Sequence, residues 1–180
     1  MTGLEKLTRA RTFFLAGTMQ GSRGGADMVD QGYRNELREI ILAYRPDAEI
    51  RDPGDLMAQW LYAEADEIRE AHADLAGSGV LLRDELVPPL VRLTGVFDRL
   101  VEISGESDVC VAWLPGHEAS MGTAAEMWAA HANGRCVVAV TQMRQNLAVL
   151  SCSDAIVPAL SDFAALLELS NRGANHVPSR

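Results

Sequence analysis

The sequence predicts an α/β protein built on a parallel β-sheet with helices on both faces. Short apolar segments alternate along the chain with longer amphipathic ones, which is the pattern of strands joined by crossover helices. Residues 109–114 are continuously apolar, as expected of a strand that is covered on both faces. In such a sheet, ligands bind outside the carboxyl ends of the strands, so the loops that follow the strands are the places to look for a site.

Five segments have the length and composition of strands. They are residues 12–16, 48–51, 109–114, 136–140 and 155–157, of which the second is weak. Three loops at strand ends contain turn-forming or small polar residues and are therefore the candidate ligand loops. These are residues 17–25, 52–55 and 115–122.

Helical periodicity accounts for most of the remaining chain. The predicted helices span residues 26–44, 56–75, 86–104, 120–133, 146–151 and 161–170. Pro46 ends the first of them, and the third starts at or after Pro88 because proline is tolerated in a first turn. Gly134 is a plausible C-terminal stop for the fourth. We expect one domain over residues 1–172 and a loose tail over residues 173–180.

Composition limits the functional classes. A chain of 180 residues, 48% of them hydrophobic, can bury a substantial core. No apolar run approaches the ~20 residues needed to cross a bilayer, and no signal peptide leads the sequence, so we expect a cytoplasmic protein without a membrane partner. Sixteen basic and 25 acidic residues give a net charge of −9, which argues against a nucleic-acid polymer as partner. A small anion held by local dipoles remains compatible with this charge.

Cysteine and histidine spacing does not predict a metal site. The three cysteines, Cys110, Cys136 and Cys152, form no C-x-x-C pair, and apolar surroundings favour reduced, buried thiols. The four histidines have no spacing typical of metal ligands. We therefore expect neither a metal nor another cofactor.

Glu126 is the most informative residue of the sequence. It is the only charged side chain between Ser120 and Ala132, and apolar residues surround it on every face of the predicted helix. Such a carboxylate loses hydration on folding unless a partner or a polar cavity receives it, which favours a functional role. Gly122, one turn earlier, leaves room for a ligand. The alternatives are a surface glutamate or one paired with a structural arginine.

Other candidates are ambiguous from the residues alone. Ser120 at the start of the same helix is typical of an N-cap, although a hydroxyl beside free N–H groups also suits an anion. The loop with Gly17, Gly21 and Arg23 lacks the spacing of a P-loop or a G-x-G-x-x-G fingerprint, and it is either a turn or a close backbone approach to phosphate. Asp98 is by default a surface residue.

Three stretches of the chain resemble the nucleoside 2-deoxyribosyltransferase superfamily. They are residues 14–23, residues 108–126 and residues 134–140. The resemblance implies a doubly wound, flavodoxin- or Rossmann-like sheet of five parallel strands. It also places Glu126 at the position of a nucleophilic glutamate, which attacks the anomeric carbon and forms a covalent sugar intermediate. Water then releases the sugar, or a second base accepts it.

Ser120 favours one branch of this superfamily. Transferases of unphosphorylated nucleosides usually have an aspartate near this position, whereas serine six residues before the glutamate resembles the 2′-deoxynucleoside 5′-phosphate N-hydrolases and cytidylate N-glycosidases. A hydroxyl removes repulsion and adds a donor for phosphate. Arg23, six residues after Gly17, fits the phosphate-binding arginine of that branch.

The remaining roles are also implied by resemblance. Gly17, Met19, Gly21 and Gly122 fall in the substrate-binding stretches. Asp98 takes the role of orienting or protonating the departing base, although the alignment requires about two extra residues in 104–107.

We expect a small-molecule nucleotide as substrate and a homodimer or higher homo-oligomer as the assembly. The leading hypothesis is a hydrolase that releases the base of a nucleoside 5′-monophosphate. A base-exchanging deoxyribosyltransferase and a non-catalytic nucleotide-binding module are the alternatives. The sequence distinguishes neither the base nor ribose from deoxyribose.

Overall fold

The computed structural model describes residues 1–19 and 30–174, and the side chains of these residues up to position 172. Its centre is a five-stranded, all-parallel sheet with strand order β2-β1-β3-β4-β5. The strands are β1 Thr12–Gly17, β2 Glu49–Arg51, β3 Val109–Leu114, β4 Cys136–Thr141 and β5 Ala155–Val157. This order confirms the doubly wound α/β class that the sequence predicts.

Helices connect the strands and cover the sheet. They are α1 Gly3–Arg9, α2 Tyr33–Tyr44, α3 Pro53–Leu61, α4 Ala65–Asp74, α5 Pro88–Glu106, α6 Met121–Ala132, α7 Leu147–Cys152 and α8 Leu160–Ala174. Short 3-10 turns lie at Tyr62–Glu64, Leu75–Gly77 and Arg83–Glu85. In the part of the chain that the structure describes, no helix combines the length and the apolar character needed to cross a membrane.

Two separate cores hold the helices against the sheet. Successive strand residues point to opposite faces, so Phe13 and Leu15 enter one core while Phe14 and Ala16 enter the other. Helices α1, α2 and α8 cover the first face, and helices α3 to α7 cover the second. Because both faces are buried, β3 and β4 are apolar along nearly their whole length, as the sequence indicates. The three cysteines are buried free thiols within these cores.

Several helix and strand boundaries lie where the sequence predicts them, and capping residues explain those of α6. β3 and β5 have the predicted bounds, and α5 begins at Pro88. The side chain of Ser120 caps α6 by accepting a hydrogen bond from the Thr123 amide. Gly134 follows α6 with a φ of 69°, a left-handed conformation that glycine adopts without steric cost.

Other boundaries differ from the prediction. Helix α2 starts at Tyr33 instead of residue 26, because Asp30 and Gly32 form a turn in which the Asp30 carboxylate accepts the Gly32 N–H. The helix predicted over 56–75 begins at Pro53, where Asp52 supplies the cap, and the turn at Tyr62–Glu64 divides it. Helix α8 continues to Ala174, and residues 175–180 lie outside the described chain.

Helix α1 was not predicted. It begins with a capping box, in which Thr2 accepts the Glu5 N–H and Glu5 accepts the Thr2 N–H. The Ser/Thr-x-x-Glu signal was therefore present in the sequence.

The strand order places a topological switch point between β1 and β3. From β1 the chain passes to β2 on one side, whereas β3 pairs with β1 on the other. Gly17 lies beside Trp113 at the carboxyl end of this pair, and the next amide, Thr18 N–H, donates to the Trp113 carbonyl at 3.3 Å. Ligands of doubly wound proteins bind at this position.

Candidate active site

Glu126 is buried in the stripe of α6 that faces the protein interior. Thr123, Glu126, Met127 and Ala130 form this stripe with helical spacing, and Glu126 is only 7% exposed. Within the described chain, its carboxylate has neither a hydrogen-bond nor an ion-pair partner. The opposite side of α6 is also apolar, with Met121 and Trp128 exposed to solvent. The burial expected for Glu126 is therefore present, whereas its chemical role remains a prediction.

Small residues in α5 allow α6 to pack closely against this helix. The Ser104 hydroxyl donates to the backbone carbonyl of Glu126 at 3.0 Å, in a fully buried position. A Cβ atom added at Gly105 would lie 2.8 Å from the Asn133 side-chain nitrogen, which is closer than such contacts allow. The backbone of α6 is thus bonded to α5 at Glu126 itself, and the two helices are also in close contact near Asn133.

A buried ion pair joins α2 to the carboxyl end of β2. The guanidinium of Arg34 donates through Nη1 to the Asp52 carboxylate at 3.2 Å and to the Leu15 carbonyl at 2.5 Å. Leu15 lies just beyond the last β1–β2 pair, formed by Phe14 and Arg51. Arg34 therefore occupies the position where the short strand β2 has ended, and Asp52 both caps α3 and partners this cation.

Tyr33 reaches across the end of β1. A Cβ atom added at Gly17 would lie 2.3 Å from the Tyr33 hydroxyl. The Tyr33 hydroxyl can therefore occupy this position only because Gly17 has no side chain. The ring contacts Trp113 with 5.8 Å between centroids, and the Arg34 guanidinium lies 5.2 Å from the centre of the Tyr33 ring. Aromatic and cationic groups thus meet at the switch point.

Three buried polar atoms at this point have no hydrogen-bond partner among the described residues: Thr18 Oγ1, Tyr33 Oη and Arg34 Nη2. Gln31 connects two of these residues, since its amide donates to the Thr18 carbonyl at 3.3 Å and accepts from Arg34 Nε at 2.9 Å. A buried polar group without a partner costs about 1–3 kcal/mol, so such a cluster is expected where a ligand supplies the missing partners.

Burial dominates the electrostatics of the two ionisable groups around this cluster. Burial raises the pKa of Glu126 to about 8, and the positive charge of Arg34 acts in the opposite direction. Burial also raises the pKa of Tyr33 to about 12; Arg34 lowers it, and the charges of Asp52 and Glu126 raise it further. Glu126, Tyr33, Arg34 and Asp52 therefore act on one another as one electrostatic group.

The start of α6 carries two further predicted residues. Ser120 Oγ accepts from the Thr123 N–H at 3.3 Å and from the Thr123 hydroxyl at 3.0 Å, so it has the N-capping role that the sequence allows. A Cβ atom at Gly122 would make an ordinary contact, 3.7 Å from the half-exposed ring of Phe97. Ser120 is thus the N-cap of the helix that carries Gly122 and Glu126.

The structure places Asp98 differently from the other predicted residues. Its side chain on α5 is 61% exposed and pairs with Arg83 at 3.7 Å. Met19 directly follows the Thr18 position and is half-buried. The predictions for Gly21 and Arg23 lie outside the described residues.

Sequence reasoning missed Tyr33, Arg34 and the second role of Asp52. Arg34 shares the spacing i, i+3, i+7 with Leu37 and Ile41, which are buried on α2, and this spacing indicates a cation on the apolar side of the helix. A buried arginine requires a carboxylate partner, and Asp52 stands directly after a predicted strand. These two signals together could have identified the pair.

The fold and this cluster define a doubly wound α/β protein with a buried, carboxylate-containing polar site at its switch point. No family model and no curated protein matches the chain. Solved structures that are similar to it include three that match over most of its length. One is a conserved protein from Enterococcus faecalis V583, with 17% identity and a TM-score of 0.47 over 89% of this chain and 98% of that one.

The other two structures have named activities. A 2-deoxyribosyltransferase from Bacillus psychrosaccharolyticus is 14% identical, with a TM-score of 0.49 over 86% of this chain and 95% of that one. A CMP N-glycosidase from Clostridium botulinum is 13% identical, with a TM-score of 0.42 over 88% of this chain and 98% of that one.

The raised pKa of Glu126 predicts a loss of stability as pH increases. Between the ordinary pKa of 4.5 and about 8, the folded protein retains a proton that the unfolded chain releases. The free energy of unfolding should therefore fall across this window by at most about 1.4 kcal/mol per pH unit from this group. Urea unfolding of wild type and Glu126→Gln at several pH values measures the effect: the stability advantage of the variant should grow with pH. A constant difference would contradict the raised pKa.

Proposed function

We propose that the protein cleaves the N-glycosidic bond of a nucleoside 5′-monophosphate and releases free base and sugar phosphate. The observation that carries this proposal is the buried carboxylate of Glu126, which has no hydrogen-bond partner among the described residues and interacts electrostatically with Arg34 and Tyr33 of the donor-rich cluster at the switch point. An ionised carboxylate in such a site is a strong nucleophile, because little water has to be removed before it meets a carbon atom.

The proposed reaction has two steps. The Glu126 carboxylate attacks the anomeric carbon, and the electron pair of the N-glycosidic bond leaves with the base. Water then hydrolyses the glycosyl ester and regenerates the carboxylate, as in retaining glycosidases. Only the ionised form attacks, so kcat/KM should increase as pH rises towards the pKa of about 8.

The other predicted residues have supporting roles in this proposal. Ser120 and the backbone at the start of α6 bind the phosphate, assisted by Arg23 and the backbone at Gly17 and Gly21. Met19 and Gly122 border the substrate. Asp98 remains the predicted group that orients or protonates the base, from an exposed position on α5.

Glu126→Gln should abolish turnover while the fold and most of the phosphate affinity are retained, because the amide is isosteric but not nucleophilic. The assay incubates the protein with a panel of nucleoside monophosphates, with and without an acceptor base. Free base alone supports the hydrolase, an exchanged nucleotide supports a transferase, and binding without products supports a non-catalytic module. The matched control is Glu102→Gln on α5, where the carboxylate is 63% exposed and should be dispensable. Full activity of the Glu126 variant would exclude the residue from the mechanism.

Ser120→Asp should reduce the use of monophosphates far more than the use of nucleosides, because a carboxylate at this position repels the phosphate. Ser120→Asn is the control: it has the same shape, no charge and the same ability to cap α6. The measurement compares kcat/KM for a nucleotide and its nucleoside in all three proteins. Equal losses for the two substrates in the Asp variant would show that the phosphate binds elsewhere.

We also propose that the protein forms a homodimer through the outer side of α6 and α7. Trp128, Leu147 and Leu150 are 60%, 78% and 54% exposed there, and Trp128 and Leu147 line a surface depression of about 530 Å³. Exposed apolar areas of this kind are typical of protein interfaces.

Leu147→Glu should convert the dimer to a monomer. Light scattering after size exclusion should give about twice the 19.5 kDa chain mass for wild type and a single chain mass for the variant. Leu169→Glu is the control, because it lies at an equally apolar, 53% exposed position on α8, across the sheet. A monomeric wild type would refute the proposed assembly.

A further inference from the structure

The three unpartnered atoms at the switch point form one contiguous set of donors. Thr18 and Arg34 are linked through Gln31, and the Tyr33 hydroxyl lies against Gly17, the residue before Thr18. Thr18 is fully buried, and Tyr33 and Arg34 are 8% and 4% exposed. Nothing in the proposed mechanism so far uses these groups, although each is more than nine-tenths buried.

The donors of this cluster require a ligand that presents a hydrogen-bond acceptor. Arg34 Nη2 can only donate, and the two hydroxyls can donate as well as accept. Asp52 engages Nη1 and so leaves the Nη2 edge of the guanidinium available. A ligand group that satisfies this set presents a carbonyl oxygen or a ring nitrogen, and partial negative charge on that atom strengthens the contact.

The surroundings favour a planar ring as the carrier of that acceptor. The rings of Tyr33 and Trp113 lie together at the ends of α2 and β3, next to the donors. Aromatic faces beside convergent donors are the usual way in which proteins bind nucleobases, by stacking and by hydrogen bonds to the base edge. A phosphate would match the donors but not the aromatic surface.

We propose that Thr18, Tyr33 and Arg34 bind the leaving base of the substrate through the acceptor atom next to its glycosidic nitrogen. This acceptor is the 2-carbonyl oxygen of a pyrimidine or N3 of a purine. Arg34 thereby stabilises the negative charge that the base acquires as the bond breaks. The inference rests on the proposed function and gives the base a binding site within it.

The bond changes balance without a proton from Arg34. As the carboxylate oxygen of Glu126 bonds to the anomeric carbon, the glycosidic electron pair moves onto the base, which departs as an anion beside the guanidinium. The anion takes a proton that comes from water, directly or through Asp98, and the resulting hydroxide hydrolyses the glycosyl ester. The products are the neutral base, the sugar phosphate and the original carboxylate.

Leaving-group dependence provides the test. Arg34→Lys keeps a positive charge but loses the forked donor, and Tyr33→Phe removes only a hydroxyl. Each variant is assayed on a nucleotide and on the 4-nitrophenyl glycoside of the same sugar 5-phosphate, whose leaving group needs no stabilisation. We expect Arg34→Lys to lower kcat/KM for the nucleotide by about 100-fold, as for loss of an oxyanion donor. Its loss on the nitrophenyl substrate should be under about tenfold, and Tyr33→Phe should show the same contrast with smaller losses.

Arg38→Lys is the matched control for Arg34→Lys. Arg38 lies one turn later on α2 and also pairs with Asp52, at 3.5 Å, but it is partly exposed and its other partner is Asp55. This variant should keep both activities. Equal losses of the Arg34 variant on the two substrates would indicate a purely structural role, and no loss on either would remove Arg34 from the reaction. Both outcomes overturn the inference.

Binding measurements separate this inference from the proposed function. If wild type cleaves no nucleotide, the proposed function fails. Calorimetric titration with nucleotides and free bases then still tests whether Thr18, Tyr33 and Arg34 bind the base. Weaker base binding by Tyr33→Phe and Arg34→Lys, by about tenfold or more, would support the base site. Unchanged affinity in both variants, or no base binding by wild type, would refute it.

Discussion

The buried ion pair between Arg34 and Asp52 fixes the polar end of the sheet. Removing two charges from water is expensive, and a well-packed apolar pair is often as stable, so such a pair is poorly explained by stability alone. Here the pair holds a guanidinium under the carbonyl of Leu15, where β2 has ended, and one guanidinium nitrogen has no hydrogen-bond partner among the described residues. The pair therefore sets the position of the donor cluster, and the charge of Arg34 partly offsets the effect of burial on the pKa of Glu126.

Two opposing effects act on the pKa of Glu126. Burial favours its neutral form, whereas the charge of Arg34 favours the ionised form. The backbone of α6 cannot relax away from this conflict, because Ser104 anchors it and Gly105 brings α5 into close contact. A ligand that binds the donors and contacts the carboxylate would change this balance directly, so substrate binding and nucleophile ionisation would be coupled by the same few side chains.

The fold could be predicted from the sequence because its signals are local. The apolar run Val109–Leu114 is a strand, and Ser120 and Gly134 mark the ends of α6. Glu126 could be found because it is alone among apolar residues. The contact between Tyr33 and Gly17 could not, because it depends on how a helix packs on the sheet: Gly17 meets Tyr33 only after α2 has folded back over β1. Patterns within a segment do not contain this information.

The absent side chain of Gly17 has a consequence for evolution and for protein engineering. Its space is already filled by the hydroxyl of a residue 16 positions later in the chain. Even one methyl group at position 17 therefore requires the tyrosine to move, so the two sites cannot change independently. Attempts to reshape this end of the sheet would have to alter both in a single step, and sequences that change at one should be found to compensate at the other.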